Sequence, residues 1–249
     1  MREICEALAF DTFEGFTREQ RTSAVLTTMT QYRGDFPFAV AYPKVALKGV
    51  FSEIVSEAGL RQMRIAETEK YAHVTYFFSG GREKELPGES RILVQSPKVK
   101  TYDLQPQMSA PEVKTKILAE IERGETDVYI VNFANADMVG QTGTVEAAAA
   151  AVKAVDTCLS EIVPAVVAKG GIAAITADHG NAEMLWDVEH GQPHTAHTTN
   201  PVPFVLCGDG LDGMKLRRMG ILADVSPTLL QLAGLEPTPA MDGQSMIEG

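Results

Sequence analysis

The residue types best suited to chemistry are crowded into one stretch, 172–197, which reads IAAITADHGNAEMLWDVEHGQPHTAH. Asp178 and His179 stand side by side, and His190, His194 and His197 follow, so four of the chain's five histidines fall here. Carboxylate oxygen and imidazole nitrogen together suit Mn²⁺, Zn²⁺ or Mg²⁺. The apolar run 172–177, bounded by Gly170 and Gly171, reads as a short buried strand with Asp178 and His179 at its carboxyl end. Consecutive side chains at a strand end point to opposite sides, so the pair could serve two neighbouring ions. The competing reading is a polar loop with scattered histidines.

The balance tips at a second acidic strand end. Residues 127–137, DVYIVNFANAD, are continuous, β-branched and aromatic, as a strand covered on both faces should be, and they deliver Asp137. In an open α/β sheet ligands collect beyond the carboxyl ends of the strands. Two carboxylates and two imidazoles gathered there would make a two-ion site. Ions roughly 4 Å apart can hold both the attacking and the leaving oxygen of a phosphoryl transfer. The alternative is a pair of Asp residues that merely cap helices.

Periodicity gives the elements that must position these groups. Residues 50–60 put Val50, Ile54, Val55 and Ala58 on one helical face, closed by Gly59. Residues 62–66 read as a short strand, 68–81 as a helical or mixed segment ending at Gly80 and Gly81, and Ile92-Leu93-Val94 as a brief strand. Ser109 and Glu112 form a capping box for a helix that ends near Gly124. MVGQTG (138–143) reads as a tight loop. Thr144 then caps a long helix, 145–168, whose apolar set is Val145, Ala148, Val152, Val155, Leu159, Ile162 and Val166. A strand at 202–206 and a last helix from Asp224 to Gly234 complete the alternation, which predicts an α/β fold with a parallel or mixed sheet covered on both faces. Residues 1–10 read as a helix without a start signal, and 36–44 as a strand without an earlier partner. That pairing suggests sequence missing upstream.

Bulk properties narrow the function. A formal charge of −11 and no basic run argue against a nucleic-acid partner. An acidic protein can still take an anionic substrate where metal ions and a few Lys or Arg reverse the local field. Cys5, Cys158 and Cys207 are widely spaced, with no CxxC, and read as reduced thiols of a cytoplasmic protein. No stretch has the length and apolarity of a membrane span, and the N-terminus has no signal-peptide core.

Several long segments carry a resemblance: AETEKYAHVTYFF (66–78), ADMVGQTG (136–143), TADHGNAE (176–183) and PHTAHTTNPVP (193–203), with YDLQPQMSAPEV and ADVSPTLLQLAG in support. In this order they resemble the motifs of the cofactor-independent phosphoglycerate mutases, of the alkaline phosphatase superfamily. The resemblance implies an alkaline-phosphatase-like α/β fold. It also implies an isomerase of glycolysis and gluconeogenesis that interconverts 3-phosphoglycerate and 2-phosphoglycerate through a phosphoserine. Two Mn²⁺ ions would assist, with Zn, Mg or Co as alternatives, in a cytoplasmic monomer. By resemblance Asp137 and His197 are ligands of one ion, and Asp178 and His179 of the other. Lys70 is the lysine that contacts the transferring phosphoryl group, where a point charge offsets charge on the phosphoryl oxygens. His194 is expected behind the ligands, orienting them.

Three departures accompany the match. Position 141 is a His ligand in the family pattern and is Gln141 here, a weaker ligand for Mn²⁺ or Zn²⁺. No serine here stands in the motif of the family's nucleophile, and a further Asp ligand belongs to the same N-terminal segment. Residues 1–44 resemble only the end of the substrate-gripping phosphotransferase domain, with 45–249 as the metal-binding domain. The chain alone is therefore expected to be inactive. The rival readings are a non-catalytic metal-binding remnant or subunit, and another metal-dependent phosphatase or phosphomutase.

Overall fold

The computed structural model describes residues 2–20, 24–43, 45 and 47–248. The chain divides into two compact units, Met1–Ala46 and Leu47–Gly249. The smaller holds helix α1 (Arg2–Ala9) and two short parallel strands, β1 (Thr27–Thr30) and β2 (Ala39–Tyr42). The strand expected at 36–44 thus does have an earlier partner, and it is shorter, with Lys44 outside the described residues. Phe36 sits between Phe10 and Phe38, at centroid distances of 5.7 and 5.5 Å. The guanidinium of Arg33 lies 4.7 Å over its ring.

The larger unit is built on a parallel sheet in which β3 (Gln62–Glu67) lies between β4 (Glu89–Val94) and β5 (Val128–Asn132). Its central strand is β3, and the 172–177 segment, read as a short buried strand, lies outside this sheet. β3 reads QMRIAE, and all six residues are buried. Met63 and Ile65 face one side. On the other, Arg64 is fully buried, stacks its guanidinium 4.4 Å over the Phe78 ring and donates to Gln62 Oε1 at 2.5 Å. Burial and the charge of Arg91 pull its pKa down to about 10, although Glu89 works against them.

Helices cover both faces of the sheet. Tyr129 and Val131 of β5 pack with Met63, Ile65 and Val94 under α3 (Ala110–Arg123) and α5 (Val145–Ala168). Val128 and Ile130, on the alternate face, pack with Phe51 and Val55 of α2 (Phe51–Glu57) and with Leu230 of α6 (Val225–Leu232). Val55, Ile65, Ile117 and Leu230 are wholly buried. Each contributes about 1.5–3 kcal/mol of transfer free energy.

Three helical details differ from the periodic reading. The Ser109 hydroxyl does not cap α3; it donates to the Gln95 carbonyl at 2.7 Å and ties the helix start to the end of β4. Residues 135–137, read as strand, and 138–140, read as loop, form the short helix α4 (Asn135–Gly140), so β5 ends earlier, at Asn132, and the turn is confined to 141–143. In α5 the buried face runs through Ala147, Ala148, Ala151, Cys158 and Ile162, and Val145 and Val152 are exposed. Small side chains win that face because α4 packs closely there, with Val139 against Ala147 and Ala151.

After α5, β6 (Ala173–Ile175) pairs antiparallel with β9 (Val205–Cys207), apart from the main sheet. The histidine-rich segment between them is itself an irregular hairpin. Gly180 bridges Thr198, and further out β7 (Trp186–Asp187) pairs with β8 (Gln192–Pro193). Its two arms therefore run side by side, which brings residues near 179 and 197 together.

Candidate metal centre

Lys70 and Asp137 are delivered by adjacent parallel strands. β3 runs into a single 3₁₀ turn, Thr68–Lys70, and a π-helical turn, His73–Phe77. β5 runs into α4, which carries Asp137 in its first turn. Because β3 and β5 are parallel neighbours, both side chains emerge at the same carboxyl edge. They form an ion pair in which the Lys70 ammonium donates to Asp137 Oδ2, with the two side chains 8% and 12% exposed. Gln141 closes α4 four residues after Asp137, one helical turn on and on the same face. Its Nε2 donates to Asp137 Oδ1 at 2.8 Å.

The hairpin brings the imidazoles to this carboxylate. His197 Nε2 lies 3.0 Å from Asp137 Oδ1 and 3.3 Å from Gln141 Nε2. The rings of His197 and His179 are stacked, with centroids 3.7 Å apart and planes 18° from parallel. Asp137, His179 and His197 each offer a ligand atom, all within 4.8 Å of one another. One carboxylate oxygen and two imidazole nitrogens at that spacing fit a divalent transition metal. A further donor would be the amide of Gln141, which presents its oxygen once Nε2 turns away.

Burial raises the pKa of the Asp137 carboxyl. Hydrogen bonds from Lys70 and Gln141, with the charge of Lys70, outweigh that effect and hold it below the ordinary carboxylate range. Asp137 is thus kept as an anion and is already neutralised by a cation.

The remaining residues singled out in the sequence lie differently. Asp178 stands outside the cluster of three, 55% exposed, with Oδ2 3.6 Å from His179 Nε2. It follows β6 in an irregular bend, not in extended strand. His194 is half-buried, with Nδ1 3.1 Å from the Met184 carbonyl oxygen. His190 pairs with Asp187 at 2.7 Å near the hairpin tip.

Two features escaped the sequence reading. His73, one helical turn beyond Lys70, feels Lys70, Asp178, Asp137 and His179. Burial first, and then Lys70, lower its pKa. Its i+3 spacing from Lys70 was the available signal. The second is a close approach between chain segments: a Cβ placed on Gly140 would fall 1.8 Å from Asn181 Oδ1.

The chain belongs to the metalloenzyme superfamily, whose family model matches residues 41–237. Within it, the chain is similar to 2,3-bisphosphoglycerate-independent phosphoglycerate mutases. It is 54% identical to that of Chloroflexus aurantiacus over 223 residues, covering 88% of this chain and 41% of the relative. It is 51% identical to that of a Synechococcus species over 255 residues, covering 99% and 48%. Among solved structures, a Leishmania mexicana phosphoglycerate mutase at low cobalt concentration superposes with a TM-score of 0.83 at 30% identity, over 98% of this chain and 48% of that one. The chain thus spans about half the length of the relatives it matches. Its α/β architecture is that of these metalloenzymes.

Proposed function

We propose that this chain forms the metal-binding part of a phosphoglycerate mutase that interconverts 3-phosphoglycerate and 2-phosphoglycerate through a phosphoserine. The observation that carries the reading is the meeting of Asp137, His179 and His197 beside the buried ammonium of Lys70. Asp137 and His197, with Gln141 in the place of a third ligand, would hold one Mn²⁺. Asp178 and His179 would contribute to a second, and His194 would steady the loop behind them. When bound, such ions act as Lewis acids toward phosphoryl oxygens and orient the reacting groups.

The chain's own residues supply the rest. Lys70 presents a charge to the phosphoryl oxygens and, before substrate arrives, screens Asp137. The names of the relatives supply the substrate, and the cobalt present with the Leishmania enzyme supports a transition metal. The acidic charge speaks against a nucleic-acid partner. Among the described residues no helix is long and apolar enough to cross a membrane. A cytoplasmic, monomeric enzyme is the setting we propose.

Calorimetric titration of Mn²⁺ into the chain and into Asp137→Ala tests the metal reading. Saturable binding that the substitution abolishes is expected, and an identical isotherm would sink it. A coupled assay for 2-phosphoglycerate, run on the same two proteins, tests whether turnover needs more than this chain. The rival reading, a metal-binding subunit without catalysis, draws on Gln141; both readings expect binding without turnover from this chain alone, and the rival alone expects none when the missing part of the enzyme is supplied.

A further inference from the structure

Beside the metal cluster lies a hydrogen-bond hub that none of the ligand assignments uses. Glu183 sits on the incoming arm of the irregular hairpin, four residues after His179. Its Oε2 accepts from the backbone N–H of Asn181 at 2.6 Å. Its Oε1 accepts from the Thr198 hydroxyl and, at 2.9 Å, from Asn200 Nδ2. Thr198 is the residue directly after His197, and its own N–H donates to the Gly180 carbonyl at 2.8 Å. One carboxylate therefore gathers three donors from both arms of the hairpin, and each arm carries one of the stacked histidines.

The packing around the hub leaves it little freedom. A Cβ on Gly180 would fall 2.2 Å from Thr198 Oγ1 and 2.4 Å from Glu183 Oε1, so the carboxylate and hydroxyl lie directly over that glycine. Asn181, whose N–H the hub fixes, is buried at 5% exposure and abuts Gly140 on the helix that carries Asp137. The hydrogen bond from Thr198, with those from Asn200 and Asn181, outweighs the opposing effect of burial and holds the Glu183 carboxyl down at about 2. Glu183 is a permanent anion over the whole physiological range. It is also largely exposed, so its satisfied geometry comes from its partners and not from enclosure.

We infer that Glu183 is a positioning residue: by tying Thr198 and Asn200 to Asn181 it holds His197 over His179 and Asp137, and so sets the affinity of the metal centre. The inference rests on the reading of Asp137, His179 and His197 as metal ligands. Loss of a group that orients ligands without touching the ion typically weakens metal binding about 10- to 100-fold. The geometry also makes a graded demand. Glu183→Gln keeps a carbonyl oxygen for Thr198 and Asn200 but turns an amide N–H₂ toward the Asn181 N–H. Glu183→Ala removes all three bonds.

The test has two arms on the purified chain. Amide hydrogen exchange without metal should run about tenfold faster across 196–200 in Glu183→Ala, with β3 and β5 unchanged and Tm within a few degrees. Mn²⁺ titration should give a Kd at least about tenfold weaker in Glu183→Ala, with Glu183→Gln in between. Thr198→Val, which removes one of the three donors, should show the same pattern to a smaller degree. Unchanged exchange across 196–200 in both Glu183→Ala and Thr198→Val would overturn the inference. So would faster exchange with an unchanged Kd, because the hub would then not set the ligands. If the native chain takes up no Mn²⁺, it is the metal reading that fails, and the exchange arm still judges the role of Glu183.

Discussion

The candidate site has two halves built by different physics. Lys70 and Asp137 stand on the carboxyl ends of neighbouring strands of a covered sheet, with side chains only 8% and 12% exposed. Asp178, His179 and His197 stand on the arms of a hairpin, with side chains 55%, 24% and 51% exposed. The first half inherits its rigidity from a core that exists for other reasons. The second has little apolar burial to rely on and must be fixed by polar contacts, chiefly those that meet at Glu183. Local opening costs least where buried apolar contacts are few and backbone hydrogen bonds are exposed. On the proposed reading, the anchored half sets where charge lies, and the hairpin half sets whether a metal ion would meet His179 and His197 there.

The strongest way to break that division is to cut the anchor. Ile65 is wholly buried in β3 against α3 and α5, and Ile65→Ala should cost about 3–4 kcal/mol in denaturant unfolding. A loss below about 1 kcal/mol would mean that the sheet is not what holds Lys70 and Asp137. Next comes Asp224, 4% exposed, which accepts from the N–H groups of Ile221 and Gln244 and from Arg217. It holds the start of α6, whose Leu230 packs on β5. Asp224→Ala should cost about 2–3 kcal/mol by equilibrium unfolding, since it leaves two N–H groups without their acceptor and Arg217 with only the Gln244 and Ser245 carbonyls.

Burial raises the pKa of Asp224, but those N–H donors and Arg217 outweigh it and hold the carboxyl below its usual range. A depressed folded pKa gives stability that is complete above the unfolded value and is lost as pH falls through the folded one. The acid limb of a stability profile should therefore be shallower in Asp224→Asn than in the native chain.

Smaller effects sharpen the other half. Gln141→His restores an imidazole one turn from Asp137 and should tighten Mn²⁺ binding about tenfold, or about 1.4 kcal/mol, by calorimetry. An unchanged isotherm would mean that position 141 does not address the ion. Trp186, 52% exposed near the hairpin tip, should tolerate alanine within about 0.5 kcal/mol. A large loss there would show that the hairpin is packed against something and is not held by its polar contacts alone.

Residue chemistry made the site legible before its geometry was. Asp137, His179 and His197 stand out because a carboxylate after a buried strand and a cluster of histidines are rare in combination. Lys70 was legible only through its motif, since one lysine in a helical segment has no signature of its own. The central strand was legible only as a short strand at 62–66, and its central place was not, because Gln62, Arg64 and Glu67 interrupt the apolar pattern by which buried strands are recognised. Their side chains are satisfied by partners remote in sequence, such as the Phe78 ring for Arg64 and Ser96 for Glu67. Segment 138–143 read as a loop because its glycines signal turns. In the structure Gly140 ends a helical turn whose closeness to Asn181 no local pattern encodes. Glu183 escaped for a similar reason, since an exposed Glu in a polar loop is ordinarily solvated.

The contact at Gly140 bears on how such a site can be altered. Since a Cβ there would overlap Asn181, residues 137–141 and the arm that carries His179 fit as key and keyhole. A graft of segment 176–200 from a relative would need its own matching turn, and a transplanted turn would need its own asparagine. Recombination between relatives should thus succeed when the crossover leaves positions 140 and 181 from one parent, and fail when it separates them. A single glycine makes two segments distant in sequence one heritable piece.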